Sequence, residues 1–304
     1  MTPYEAVESE VVALYGQGDY NAALRLLERN GPHLADQWER LAYWRVCLLA
    51  RSGRPESAID TLAQAVEAGA WWAPRLLETE DDLDLLWSHD AFRRLIQEME
   101  NRRRLWNPTA SGLFVGGTPG GTPYLGMHGR NQVFEVDAQR FTRMLGPEWE
   151  VAVPESDQRI ASDGPVWDDP EASARQVTQV ADRLWGPRPF ALGGYSQGGR
   201  RALQIGLRYG GRIPGVMAVS PMLLRGREMA EVIEALGQPP WPRVFIVCGE
   251  KDPATPNTRT VIEHLRDEGV EADLEVVEGA SHMWLEPSRS MLTALEEVVV
   301  NASP

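Results

Sequence analysis

The sequence predicts two parts: an α/β domain built on a mainly parallel sheet with helices on both faces, and a small all-α domain before it. Three observations carry that expectation. The first third shows helical periodicity only. From Leu113 onward, short apolar runs alternate with helical stretches. A serine flanked by four glycines stands where one apolar run gives way to a helical pattern. The change of character follows "WNPTASG", so the domains are expected at 1–107 and 108–304.

In the helical part, "VVALYGQGDYNAALRLLERN" places Val12, Leu14, Ala22, Ala23, Leu26 and Leu27 at helical spacing around a turn at Gly18–Asp19. "LLARSGRPESAIDTLAQAVEAGA" repeats the theme, with a turn at Gly53–Pro55 and apolar Ala58, Ile59, Leu62 and Ala65. Gly18 and Gly53 are 35 residues apart, as are Ala23 and Ala58. A helix–turn–helix unit of about 34 residues is the tetratricopeptide period, and the segment resembles that family in part. A third stretch, "DDLDLLWSHDAFRRLIQEMENRRR", offers Ser88 as a helix cap and Phe92, Leu95, Ile96 and Met99 as an apolar stripe. Arg102–Arg104 suit the C-terminus of that helix. Two repeats leave apolar faces that a neighbour must cover, so this domain is expected to pack on the rest of the chain, on a second copy or on a protein partner.

Seven apolar runs follow: "LFV" at 113–115, "PYLGMHG" at 123–129, "WEVAVP" at 149–154, "PFALGG" at 189–194, "GVMAVSP" at 215–221, "RVFIVCG" at 243–249 and "DLEVVEG" at 273–279. Helical stretches such as "DAQRFTRML", "PEASARQVTQVADRLW" and "TRTVIEHLRDEG" separate them. Strands alternating with helices of this length give a mainly parallel sheet, whose function lies at the carboxyl ends of its strands. "GGTPGGTP" at 116–123 lacks the Lys-Ser/Thr ending of a phosphate loop and reads as a turn. Asp168 and Asp169, before Pro170, read as caps of the next helix.

Composition narrows the function. Of 304 residues, 43% are hydrophobic and 24% charged, enough apolar material for a real core. The net charge of −14 argues against nucleic acid or an anionic membrane surface as a partner. No apolar run approaches the roughly 18–20 residues of a membrane span. The acidic first residues lack a signal-peptide pattern, and a cytoplasmic location is the default. Cys47 and Cys248 suit buried positions better than a disulfide framework. Among basic residues Lys251 is the only lysine, a composition bias. The five histidines and two cysteines show no zinc spacing, and no metal or other cofactor is expected.

Gly194, Ser196 and Gly198 form G-x-S-x-G between a strand-like run and a helix. A turn of this kind strains its central residue, requires tiny neighbours and lifts the hydroxyl clear of the sheet. A serine hydroxyl needs a base, and the base an orienting acid. Asp252 follows the run "RVFIVCG" and His282 follows "DLEVVEG", which gives the chain order Ser, acid, His. Glu250 lies closer to its strand and is the weaker acid. His33, His89 and His264 fall on helical segments as solvent or packing residues.

With "GYSQGG", "CGEKDPATP", "EGASHMW" and "MHGRNQ" in place, residues from about 108 to 304 resemble an α/β-hydrolase, nearest its phospholipase/carboxylesterase and dienelactone-hydrolase-like branches. The serine at 196, where the latter branch has cysteine, favours the serine esterase side. The resemblance implies a serine hydrolase that cleaves a small-molecule carboxylic ester through an acyl-enzyme on Ser196. It implies that the backbone N–H groups of Arg130 and Gln197 form the oxyanion hole, and that His128 braces the loop. Asn131, with the Arg130 side chain, can meet a polar or anionic substrate group, and Met222, Leu223, Leu224 and Trp284 are candidates for an acyl pocket. Thioesterase or lysophospholipase-like action is an alternative. In a different class stands a helical-repeat binding protein whose hydrolase-like part is a passive scaffold.

Overall fold

A computed structural model describes residues 3–106 and 112–302. The expected boundary at 107/108 lies outside the described residues. By internal packing the chain divides into Met1–Asn107 with Arg159–Gly164, and Pro108–Gln158 with Pro165–Pro304.

The first unit contains helices α1 (Pro3–Gly16), α2 (Tyr20–Asn30), α3 (Trp38–Arg51), α4 (Pro55–Glu67), α5 (Pro74–Glu78) and α6 (Asp90–Leu105). Asp19 caps α2 by accepting the Ala22 N–H at 2.9 Å, and Pro55 opens α4 where its missing N–H costs nothing. Phe92 and Met99 of the predicted stripe are buried in the unit's core. Two expectations are corrected. Val12 is exposed, because Tyr4, Val7 and Val11 set the buried face of α1. Ser88 caps nothing: α6 begins at Asp90, and the Ser88 hydroxyl donates back to the Leu85 carbonyl at 2.9 Å. Residues 159–164 belong to this unit. Arg40 Nε donates to Asp163 Oδ2 at 3.1 Å, and the Ala73 N–H to the Ile160 carbonyl at 2.7 Å.

The second unit contains a seven-stranded sheet. Its strands are β1 (Leu113–Gly117), β2 (Thr122–Met127), β3 (Trp149–Pro154), β6 (Ala191–Tyr195), β7 (Gly215–Val219), β8 (Arg243–Gly249) and β9 (Ala272–Val277). β4 (Gln158–Ala161) and β5 (Gly164–Val166) form a separate two-stranded hairpin. The order across the sheet is β1-β3-β2-β6-β7-β8-β9, parallel except for β1 against β3. All seven predicted runs are strands of this sheet. "GGTPGGTP" supplies the β1–β2 turn, where Gly121 N–H bonds the Thr118 carbonyl.

Alternation along the strands feeds two cores. Leu125, Ala152, Leu192, Val216, Ala218, Val244 and Ile246 pack with α8 (Pro170–Trp185), α9 (Gln197–Tyr209) and α11 (Thr255–Asp267) through Val177, Leu203 and Leu265. Tyr124, Val151, Val153, Met217, Val219, Phe245 and Val247 pack with α7 (Phe134–Leu145) and α12 (Arg289–Ala302) through Phe141 and Leu295. A remaining helix, α10, spans Gly226–Ile233. A parallel sheet covered on both faces is buried throughout, hence its near-continuous apolar strands. This is the α/β-hydrolase fold. Among the described residues, no helix is long and apolar enough to cross a membrane.

Candidate active site

Ser196 alone separates β6 from α9, at φ 54 and ψ −115. That region is strained for a residue with a β-carbon, by about 1–3 kcal/mol. The backbone is held there from three sides. Ser196 N–H donates to the Val219 carbonyl at 3.0 Å, and its own carbonyl accepts the N–H groups of Arg200 and Met222. The glycines are steric necessities. A β-carbon on Gly194 would stand 2.2 Å from the Gly198 carbonyl carbon, and one on Gly198 the same distance from the Met127 carbonyl oxygen.

Two later strands bring the other groups. Asp252 follows β8 with its side chain fully buried, and its Oδ1 accepts the Ala254 N–H at 2.9 Å, a local turn that fixes the carboxylate. His282 lies in the loop after β9. That loop is pinned by the Lys251 N–H on the Ala280 carbonyl and the Ser220 hydroxyl on the Met283 carbonyl, each at 2.8 or 2.7 Å. The imidazole Nδ1 is 2.7 Å from Asp252 Oδ2, and Nε2 is 3.0 Å from Ser196 Oγ. An acid on Nδ1 selects the tautomer that leaves the Nε2 lone pair facing the hydroxyl. Glu250 is turned elsewhere, accepting the Gly279 N–H at 3.0 Å.

The loop after β2 faces this group. His128 is fully buried against Trp167, with ring centroids 5.0 Å apart. Its Nδ1 is 2.7 Å from the Gly129 carbonyl and its Nε2 accepts the Ser156 N–H at 3.1 Å. Both ring nitrogens are thereby engaged, which braces the loop. Gly129 N–H donates to Asp137 Oδ2 at 2.8 Å, and Asn131 N–H to the Pro165 carbonyl at 2.9 Å. The N–H groups of Arg130 and Gln197 donate to no protein group among the described residues. The Arg130 guanidinium is engaged by Asp168 at 2.5 Å. Asp169, not Asp168, caps α8, accepting the Glu171 and Ala172 N–H groups.

The candidate pocket residues fall into two places. Met222 and Asn131 are half-buried, and Trp284 packs edge-on against Phe141 at 4.9 Å. Leu223 is fully buried in the sheet unit's core, and Leu224 is exposed. Sequence reasoning missed Asp137, Arg140 and Arg201. Asp137 is fully buried and paired with Arg140 at 3.0 Å, while Arg140 also covers the Tyr195 and Trp284 rings. A carboxylate one residue before the buried Ala138, on a stripe with Phe134 and Phe141, is the signal that marks it. Burial, and then its neighbour Arg200, lower the Arg201 pKa to about 10. Burial raises the Cys248 thiol, and both cysteines are free and buried.

Residues 4–106 match the family described as the A/B hydrolase-like N-terminal domain. Among solved structures, an uncharacterized protein from Bacillus cereus is 22% identical over 99% of both chains, with a TM-score of 0.49. Esterase PE8 is 18% identical over 63% of this chain and 98% of its own, with a TM-score of 0.46. SOBER1 of Arabidopsis thaliana is 16% identical over 60% and 98%, also at 0.46. No curated protein matches the sequence.

Proposed function

We propose that the chain is a serine hydrolase that cleaves carboxylic esters through an acyl-enzyme on Ser196. The observation that carries the reading is the hydrogen-bonded series from Ser196 Oγ through His282 to buried Asp252. Ser196 Oγ attacks the ester carbonyl carbon as His282 Nε2 takes its proton. Asp252 holds the imidazole and stabilises the imidazolium without itself taking up the proton. The tetrahedral oxyanion is met by the Arg130 and Gln197 N–H groups, the latter at the N-terminus of α9, where the helix dipole adds positive potential. Collapse expels the alcohol, which receives the proton from His282. Water then attacks the acyl carbon, its proton passing to His282 and on to Ser196 as the acid leaves.

We assign Met222 and Trp284 to the acyl side and Asn131 to the polar side. Leu223, buried in the core, is assigned no contact with substrate. Arg130, already paired with Asp168, contributes its N–H rather than its charge. The intact Ser–His–Asp geometry supports catalysis over a passive scaffold. The two hairpins α1–α2 and α3–α4 we read as tetratricopeptide-like, a surface for a protein partner or a second copy.

The test is Ser196→Ala. Hydrolysis of p-nitrophenyl acetate and labelling by a fluorophosphonate probe should both vanish while the circular dichroism spectrum is unchanged. A variant that still turns over and still labels overturns the assignment.

A further inference from the structure

We infer that Asp168 is a positioning residue for the oxyanion hole, its carboxylate tying the side chain of Arg130 to that of Gln197 so that the two N–H donors converge. The inference rests on the serine-hydrolase reading above and adds a residue to the same site.

The two donors are unequally held. Gln197 is the first residue of α9, and the corner at Ser196 sets its N–H. Arg130 lies in a loop, between Gly129 and an Asn131 in the left-handed region at φ 56. The loop's other backbone ties include Gly129 N–H on Asp137, the Trp167 indole N–H on the His128 carbonyl at 3.0 Å and Asn131 N–H on Pro165, while the Gly129 carbonyl, which shares a peptide plane with the Arg130 N–H, meets His128 Nδ1 at 2.7 Å and the Gln132 N–H at 3.3 Å. The described tie on Arg130 itself runs through its side chain, Nη1 to Asp168 Oδ1 at 2.5 Å. The same Oδ1 accepts Gln197 Nε2 at 2.7 Å. One oxygen therefore joins the side chains of both donor residues.

Asp168 is in turn fixed to the helix that carries Gln197. Gln197 and Arg201 are four residues apart on α9 and share one face. Gln197 Oε1 accepts the Trp167 N–H at 2.9 Å, so both ends of the amide are used. Arg201 Nε donates to the Trp167 carbonyl and Nη2 to the Asp168 carbonyl, both at 2.6 Å. Arg201 is only 4% exposed, which makes it a rigid support. The donor on the loop is thus referenced to the donor on the helix. The carboxylate is not needed as a helix cap, since Asp169 serves α8.

Magnitudes separate a rate effect from a folding effect. A side chain 52% exposed against a guanidinium 35% exposed contributes little to stability. A catalytic group misplaced by about 1 Å costs about a hundredfold in rate, and losing one oxyanion donor costs about 10²–10³.

The experiment is a double-mutant cycle in the full chain with Asp168→Ala and Arg130→Met, the latter keeping its backbone N–H. Asp168→Ala should lower kcat on p-nitrophenyl acetate about 10- to 100-fold. KM should stay within about twofold and the denaturation midpoint should not move, because the loss appears only in the transition state. The inhibition constant for a trifluoromethyl ketone, which forms the oxyanion, should rise by the same factor as kcat falls. The double variant should be no slower than Asp168→Ala. A wild-type kcat in Asp168→Ala, or additive losses in the double variant, overturns the role of Asp168. Ser196→Ala run alongside distinguishes the failures. If it is inactive while Asp168→Ala matches wild type, only the positioning role falls; if it retains activity, the hydrolase reading falls and takes this one with it.

Discussion

A β-carbon added to Gly18 or Gly53 in the helical unit would meet nothing within 4 Å, whereas one added to Gly198 in the sheet unit would stand 2.2 Å from a carbonyl oxygen. The same residue type serves two purposes. Gly18 and Gly53 are required by their own backbone, at φ 76 and 73, where they end a helix and start a turn. Gly194 and Gly198 are required by other segments, which approach so closely that no side chain fits. The turns at Gly18 and Gly53 in the helical unit are decided within a few residues of chain. The serine corner is decided by strands far apart in sequence, and chemistry depends on that convergence.

The contrast is broken most severely at the site itself. Asp252→Asn should lower kcat about 10⁴-fold, since an amide at that position presents the wrong partner to His282 Nδ1. Because Asn still accepts the Ala254 N–H, the melting temperature should stay near wild type, and steady-state kinetics beside calorimetry checks both. Gly198→Ala should act on both quantities. Its methyl cannot be accommodated against the Met127 and His128 carbonyl oxygens, at 2.2 and 2.5 Å, without moving β2 or α9. A loss of about 3 kcal/mol or more is expected, the upper end of overpacking costs, with hydrolysis absent in whatever remains folded. Urea denaturation read by tryptophan fluorescence measures it. A stable, active Gly198→Ala would mean that the corner is not rigid.

How much was legible in the sequence follows the same division. The seven strands were readable because each is a short apolar run bounded by turn residues, and the turns at Gly18–Asp19 and Gly53–Pro55 because their signals are adjacent. Ser196, Asp252 and His282 could be named because each follows a strand, and position after a strand is a local pattern. The hairpin β4–β5 escaped notice: its strands are too short and mixed to show alternation, although Asp163-Gly164 is a turn dipeptide. Asp168 looked like a cap because a carboxylate before a proline-led helix usually is one. Its real partners, Arg130 and Gln197, are 38 and 29 residues away, and nothing near Asp168 announces them. Asp137 and Arg140 are only three residues apart, and what hides them is burial, since a buried ion pair looks on paper like two surface charges.

Smaller effects sharpen the comparison within the helical unit. Gly53→Ala should cost about 1–2 kcal/mol, the penalty of a β-carbon in the left-handed region, although the space around it is open. Activity per folded molecule should not change. A fall in thermal midpoint without a change in kcat is the expected pair of results; a neutral substitution would show that the turn readily adopts another conformation.

Gly16 and Gly31 provide the finest distinction, because a β-carbon added to either would meet nothing within 4 Å beyond the adjoining chain, and neither has a positive φ. Gly16 is the last residue of α1, in ordinary helical conformation. There Gly16→Ala removes freedom only from the unfolded chain and should stabilise by about 0.4–1 kcal/mol. Gly31 holds φ −50 and ψ −44 immediately before Pro32. A β-carbon in that conformation collides with the proline Cδ, a clash between chain neighbours rather than across space. Gly31→Ala should therefore destabilise where Gly16→Ala stabilises, and paired denaturant titrations of the two variants give the sign. Equal gains at both positions would mean that open space alone governs these glycines, and the claim that local backbone geometry decides the glycine positions of the helical unit would fail at its most sensitive point.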